Sequence, residues 1–203
     1  MPRRTAFHES GHAVIGRVVG MICGGATIVP DYEAMTAGVA ITHDHWVVGD
    51  AWECRGKFRG DDEVSVMRGR IITSMAGREA EIVALGERPD DGNGVGDEDD
   101  RYQIALMATE AGIEWSYVER LRSKARALVR RHWGKIEAVA AALLEHKTLE
   151  AEQIDAVIDA ATTERERAIA ARIALVRKPL RDRIAALRGR HMPRIPGLAE
   201  SGL

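Results

Sequence analysis

Only two of the 203 residues are cysteine, Cys23 and Cys54, and neither belongs to a CxxC pair. That excludes a disulfide framework and points to reduced thiols in a reducing compartment, the cytoplasm. Long apolar runs are lacking too. The nearest approach, residues 13–29, is interrupted by Arg17 and several glycines, so nothing reaches the roughly 18 apolar residues of a membrane span. The basic start at Arg3 and Arg4 runs into a polar stretch, not an apolar one, so no secretory signal is expected. A net charge of −2 gives no global pull toward nucleic acid or an anionic membrane. There is no internal repeat. Gly92-Asn93-Gly94-Val95-Gly96 lacks the Lys-Ser/Thr pair of a phosphate-binding loop. What remains is a chain 45% hydrophobic and 30% charged, enough for one large or two small domains around a buried core.

Charge is spread unevenly. Residues 87–100 hold seven acids against one base, Arg88, and residues 163–194 hold ten Lys/Arg against three acids. A basic stretch of this kind is either a solvated helix face or a contact for an acidic partner.

The chemistry is concentrated near the start, in Phe7-His8-Glu9-Ser10-Gly11-His12-Ala13-Val14. This HExxH pattern sits in a helix-like run from Thr5 to about Val19. Residues i and i+4 share a helix face with Cβ atoms about 5–6 Å apart, so His8 and His12 can reach one metal ion. Glu9, one residue round, is placed for a metal-bound water instead of the metal. Two His ligands, a Glu as general base and an open coordination position make up the zincin arrangement. His8 and His12 also lie on a stripe with Ile15 and Val19, facing the protein body. Two buried imidazoles without a partner would be costly, and a zinc ion removes that cost.

Further along, Ala26 to Val29 and Gly38 to Thr42 read as short strands of a small sheet or hairpin. A Gly- and charge-rich loop follows, with His43, His45, Trp46, Trp52, Cys54 and Phe58; surface or edge placement is the expectation for His43-Asp44-His45. Residues 62–85 form a long helical pattern with Val64, Met67, Ile71, Met75 and Ile82 on one stripe. Gly77 in its middle costs about 1 kcal/mol against Ala and calls for a reason, such as a close helix approach. Glu81 lies four residues on along the same face, where a carboxylate can orient a ligating His. The acids Asp97 to Asp100 lead into a helix over 101–111 as ordinary helix-start residues. They also offer the third ligand that two His require. Asp100 and Asp97 share a face with Ile104 and Ala108, Asp100 being the first choice and Asp97 the second; Asp99 points elsewhere. Amphipathic helices are expected over 115–131, 135–146 and 149–161, separated by Gly134 and by Lys147-Thr148. A further helix runs from Thr162 or Thr163 to Lys178, where Pro179 breaks or kinks it.

With these pieces in order, the chain resembles the peptidase domain of the FtsH family of ATP-dependent zinc metalloproteases over roughly residues 3–160. Arg3 to Val14 resembles the family's metal helix RRTAYHEAGHAVV. Thr27-Ile28-Val29-Pro30 with Gly38-Val39 is similar to TIVPRG…LGY, and Ala76-Gly77-Arg78-Glu79-Ala80-Glu81 to AGRAAEE. Leu143-Leu144-Glu145 with Lys147-Thr148-Leu149 resembles LLE.ETL. The resemblance implies zinc held by His8 and His12, with Glu9 polarising a water. It implies a third ligand from an Asp in a GASND segment, which Gly96-Asp97-Glu98-Asp99-Asp100 matches loosely and Asp100 best. It implies Glu81 in an orienting role. The family's membrane anchor and AAA ATPase have no counterpart in this sequence, so the expectation is a standalone peptidase domain over 1–161 followed by a basic helical extension over 162–203.

The expected fold is mainly α: a zincin-like HExxH helix with a small sheet or hairpin, packed on a helical bundle subdomain. The expected function is a zinc metalloendopeptidase acting on unfolded or flexible protein segments, with a protein or peptide substrate and a separate ATPase or a homo-oligomer as partner. The alternative is a catalytically silent, metal-stabilised peptidase-fold module that binds a partner protein.

Overall fold

The structure, a computed structural model, describes residues 2–33, 36–42, 62–87, 98–163, 166–169 and 172–173. The loop residues His43, Asp44, His45, Trp46, Trp52, Cys54 and Phe58, and Asp97, lie outside the described residues. So does most of the expected basic extension.

The elements, in chain order, are α1 (Pro2–Val19), β1 (Cys23–Thr27), β2 (Val39–Thr42), α2 (Asp62–Leu85), α3 (Glu98–Glu110), α4 (Trp115–Arg131), α5 (Trp133–His146), β3 (Thr148–Leu149) and α6 (Ala151–Ala161). The fold is mainly α with one small antiparallel sheet. Helix α1 is its centre. Pro2 opens it at a position where a missing N–H costs no hydrogen bond. Every residue from Ala6 to Gly16 is buried, so the helix is enclosed on all sides and not merely along the stripe of His8, His12 and Ile15. It packs against α2, α5 and the β1–β2 hairpin.

The closest of these contacts is with α2. A Cβ placed on Gly11 would stand 2.9 Å from the Ala76 carbonyl carbon and 3.0 Å from the Ala80 Cβ. Two backbones can approach this closely only through small residues, and Gly11, Ala76 and Ala80 supply them. Around that crossing, α4 contributes Val118, Leu121, Ala125 and Val129 to the core, and α5 contributes Ile136, Val139, Ala140 and Leu143. Those spacings of three and four residues are one apolar face of a helix. A partly buried ion pair reinforces the α2–α4 contact: Arg126 donates to both oxygens of Glu79, at 2.8 and 3.1 Å.

Three boundaries differ from the sequence reading. The first strand is Cys23–Thr27, not 26–29, and so contains Gly24 and Gly25. A Cβ at Gly25 would come within 3.3 Å of Glu150 Cα and 3.4 Å of the Leu149 carbonyl carbon, so the glycine admits a neighbouring strand. That strand is β3, in the stretch read as a helix separator and start. The sheet order is β2-β1-β3, with β1 antiparallel to both; Ala26 faces Ala40 and Leu149, and Thr27 faces Val39 and Thr148. Lys147, at φ 69°, turns the chain from α5 into β3. Lastly, Gly134 lies inside α5, and the break between α4 and α5 falls at His132, φ −106° and ψ 20°.

The chain divides into two compact units, Met1–Ala161 and Thr162–Leu203. In the second, Thr163 and Glu166 form a reciprocal cap: the Glu166 N–H donates to Thr163 Oγ1 at 3.2 Å and the Thr163 N–H to Glu166 Oε2 at 2.9 Å. No helix among the described residues is long and apolar enough to cross a membrane.

Candidate metal centre

Helix periodicity puts His8 and His12 one turn apart on α1, and both are buried. Each imidazole is oriented by an acceptor on α2. His8 Nδ1 donates to Glu81 Oε1 at 2.8 Å, and His12 Nδ1 donates to the Thr73 carbonyl oxygen at 2.8 Å. Neither acceptor carries a proton to give, so both Nδ1 atoms must hold one. In the neutral imidazole that leaves Nε2 with its lone pair.

Those two lone pairs face each other. The Nε2 atoms are 2.9 Å apart, and the rings meet edge to face at 81°. The contact has hydrogen-bond length, but while both rings are neutral, with Nδ1 protonated toward Glu81 and Thr73, neither Nε2 has a proton to give it. Asp100, in the first turn of α3, brings a third lone pair: its Oδ2 is 3.2 Å from each Nε2 and accepts no well-formed hydrogen bond. Three lone pairs converging in a buried space require a positive charge between them, either a proton or a metal ion.

The triangle is slightly tighter than a zinc site. Ligand atoms at about 2.0–2.2 Å from a tetrahedral zinc stand about 3.3–3.5 Å apart. The edges here are 2.9, 3.2 and 3.2 Å. Two neutral imidazoles and one carboxylate are also a donor set that zinc accepts, with a fourth position left open. His8, His12 and Asp100 therefore fit the ion that the motif implies.

Protonation follows the same geometry. Burial opposes a charge on His8, but the nearby carboxylates of Asp100 and Glu81 outweigh it and push His8 up to about 10. Burial likewise opposes a charge on His12, and Asp100 nevertheless raises it. Asp100 shows the reciprocal effect: desolvation works against ionisation, yet His12 and then His8 hold it well below the usual carboxylate range. Glu81 is similarly lowered against its burial, by His8 first and Arg78 after it.

No family model matches the chain, and no curated protein does. The site therefore stands on its own geometry.

Glu9 is buried next to the triangle. Desolvation pushes its carboxyl up, while His12, His8 and a backbone hydrogen bond from Ala40 pull the other way. It lies against the start of β2: a Cβ on Gly38 would be 3.0 Å from Glu9 Oε1 and 2.8 Å from the Thr27 carbonyl oxygen. Gly38 thus leaves the space that the Glu9 carboxylate occupies. Since β1 covers only one side of β2, the other edge of β2 is unpaired among the described residues, and Ala40 turns its N–H toward Glu9.

Glu81 reaches His8, as just described, and Asp99 is exposed, away from both imidazoles. The reason for Gly77 is visible as well. A Cβ there would overlap the His12 ring, 2.6 Å from its Cε1, and stand 2.9 Å from His8 Cε1. Both imidazoles lie directly on the α2 backbone at this point. Sequence reasoning missed Thr73, whose contribution is a carbonyl oxygen and leaves no side-chain signature. It also missed Arg78, although Arg78 stands three residues before Glu81 and could have been paired with it by helical spacing.

Proposed function

We propose that this chain is a zinc-dependent endopeptidase of the FtsH peptidase type, acting on extended or unfolded protein segments. One observation carries the reading. A buried carboxylate, Glu9, is held against an edge of β2 that is unpaired among the described residues, beside three lone pairs that converge to within a few tenths of an ångström of zinc-site spacing. A purely structural metal site has no need of an uncoordinated buried carboxylate, whereas an HExxH zinc peptidase uses one as general base.

His8, His12 and Asp100 would hold the ion. Zinc bound there supplies Lewis-acid activation of water, lowering its pKa from about 15.7 toward 7, and polarises a carbonyl. The protein's own groups do the rest. Glu9 accepts a proton from the attacking water on its carboxylate and passes it to the leaving amine. Burial favours this, because a carboxylate with a raised pKa is a stronger base. The Ala40 N–H fixes the carboxylate's orientation. Glu81 and the Thr73 carbonyl keep both Nδ1 atoms protonated, so that Nε2 remains the donor atom. The edge of β2 away from β1, unpaired among the described residues, offers backbone groups to an extended peptide, which fits substrates without stable structure. Val39 and Ile41 are exposed along that strand. A separate ATPase that delivers unfolded chains is a compatible partner for such a site.

The test combines bound zinc and casein cleavage, on wild type and on Glu9→Gln. Stoichiometric zinc in both, with cleavage only in the wild type, is the expected result. Zinc in both with cleavage in neither would replace this reading with that of a metal-stabilised binding module.

A further inference from the structure

Glu81 is bound on both oxygens. Oε1 receives His8 Nδ1, while Oε2 receives Arg4 at 3.1 Å and Arg78 at 2.9 Å. The same two guanidiniums also hold Glu87: Arg78 Nη1 reaches its Oε2 at 2.7 Å, and Arg4 Nη2 reaches its Oε1. The four side chains close a ring of alternating charge, Arg4–Glu81–Arg78–Glu87. It spans the first turns of α1, the last turns of α2 and the turn beyond. Glu87 is brought back to the ring by Gly86, which ends α2 at φ 66°, and by the Glu87 N–H, which donates to the Ile82 carbonyl at 3.1 Å. Arg78 and Glu81 are almost fully buried within it.

We propose that this ring is the positioning device of the metal centre, with Arg78 as its key positioning residue; the inference rests on His8 being a metal ligand. A buried glutamate bonded through one oxygen only could rotate about its terminal torsion, or swing past His8 and compete for the cation itself. With Oε2 held by two cations, Glu81 presents one oxygen, in one direction, to one imidazole nitrogen. The ring also sums to zero charge, so it orients His8 without adding net charge beside the ion. Because Arg78 reaches both carboxylates through a single nitrogen, Nη1, a shorter cation with one donor nitrogen can still serve. Charge and reach, rather than the fork of the guanidinium, are what the position requires.

The experiment uses the full chain, freed of metal and titrated with zinc against a chromophoric chelator. The visible spectrum of the cobalt(II) form reports ligand geometry. Arg78→Gln should weaken zinc binding by about 10–100-fold, the usual effect of removing a partner that orients a ligand, and should change the cobalt band intensities. Arg78→Lys should stay within about threefold of wild type. Arg4→Gln, at a partly exposed position in the first turn of α1, should give an intermediate loss and covers the case in which Arg78→Gln does not fold. Wild-type affinity and an unchanged cobalt spectrum in a folded Arg78→Gln or Arg4→Gln would overturn the inference. So would an Arg78→Lys protein as impaired as Arg78→Gln. A wild-type chain that binds no zinc would overturn the metal centre itself, which is a different failure.

Discussion

Replacing Gly77 with Ala should abolish tight zinc binding and leave the fold nearly as stable as before. The new Cβ would meet the His12 ring at 2.6 Å from Cε1, and ordinary contact begins near 3.4 Å. Something must move by roughly 0.8 Å. The helices are one candidate, but Gly11 already lies against the Ala76 backbone and Ala80. Separating α1 from α2 would loosen the packing around Ile15, Ile71 and Met75, all buried in the core. The rings are the other candidate, and swinging His12 aside forfeits its hydrogen bond to the Thr73 carbonyl, worth about 1 kcal/mol net. Alanine returns about 1 kcal/mol through helix propensity. The rings should therefore move, with little net change in stability. A metal site tolerates ligand displacements of only about 0.2 Å, so a shift of this size removes His12 as a ligand. A loss of at least about 100-fold in zinc affinity follows, near 3 kcal/mol. Chelator competition measures the affinity, and circular dichroism melts of the metal-free protein measure the fold. Zinc affinity within threefold of wild type would show that the rings have room. A melting temperature lowered by more than about 10 °C would show that Gly77 serves the helix crossing and not the imidazoles.

Asp100→Asn should weaken zinc by more than tenfold by chelator competition, because the amide keeps the shape but loses the charge; wild-type affinity would remove Asp100 from the ligand set. Glu9→Gln should retain stoichiometric zinc and lose casein cleavage by at least about 100-fold; residual activity close to wild type would mean that another group takes the proton. Stability should also depend on pH in a defined window. His8 is raised from 6.5 to about 10, so the stability it contributes to the metal-free protein is complete below pH 6.5 and is lost as pH rises through 10. Asp100 and Glu81 are lowered from 3.8 and 4.5, so their contribution is complete above about pH 4.5 and falls away in acid. Melting temperatures of the metal-free protein should therefore peak between those limits. Zinc should cancel the alkaline decline by taking the place of the proton; a flat profile from pH 6 to 10 without metal would contradict the assignment of His8.

Local chemistry was legible in the sequence. HExxH specifies its own helical spacing, and a mid-helix glycine at 77 announces a close approach. The helices of residues 62–85 and 115–131 carry their apolar spacing openly, and both have those bounds in the structure. The acids of residues 97–100 limited the third carboxylate to a few neighbours, since a helix start favours several acids at once for reasons unrelated to metal. What could not be read depends on contacts distant in the chain. β3 is two residues long and exists through its pairing with β1. For the same reason, Gly24 and Gly25 read as a break although they lie within a strand. The charge ring joins Arg4 to residues 81 and 87, and no local pattern relates them.

The charges around the centre explain why a divalent ion suits it better than a proton. Arg4, Arg78, Glu81 and Glu87 cancel one another within their ring. With Nδ1 protonated and Nε2 bare, His8 and His12 bring no charge of their own to the centre. Two carboxylates remain, Asp100 with its side chain 18% exposed and Glu9 at 5%. Among the described residues neither forms a hydrogen bond or ion pair with a lysine or arginine, and an isolated buried carboxylate is expensive to keep ionised. A single proton on His8 offsets one of these charges and leaves the other, which is consistent with Glu9 being pushed upward by its burial. A doubly charged ion offsets both and makes no demand on the Nδ1 protons that Glu81 and Thr73 hold. On the function proposed here, the ion would also lower Glu9 toward its ionised form, so the group proposed to accept the proton would be readied by the same charge that activates the water.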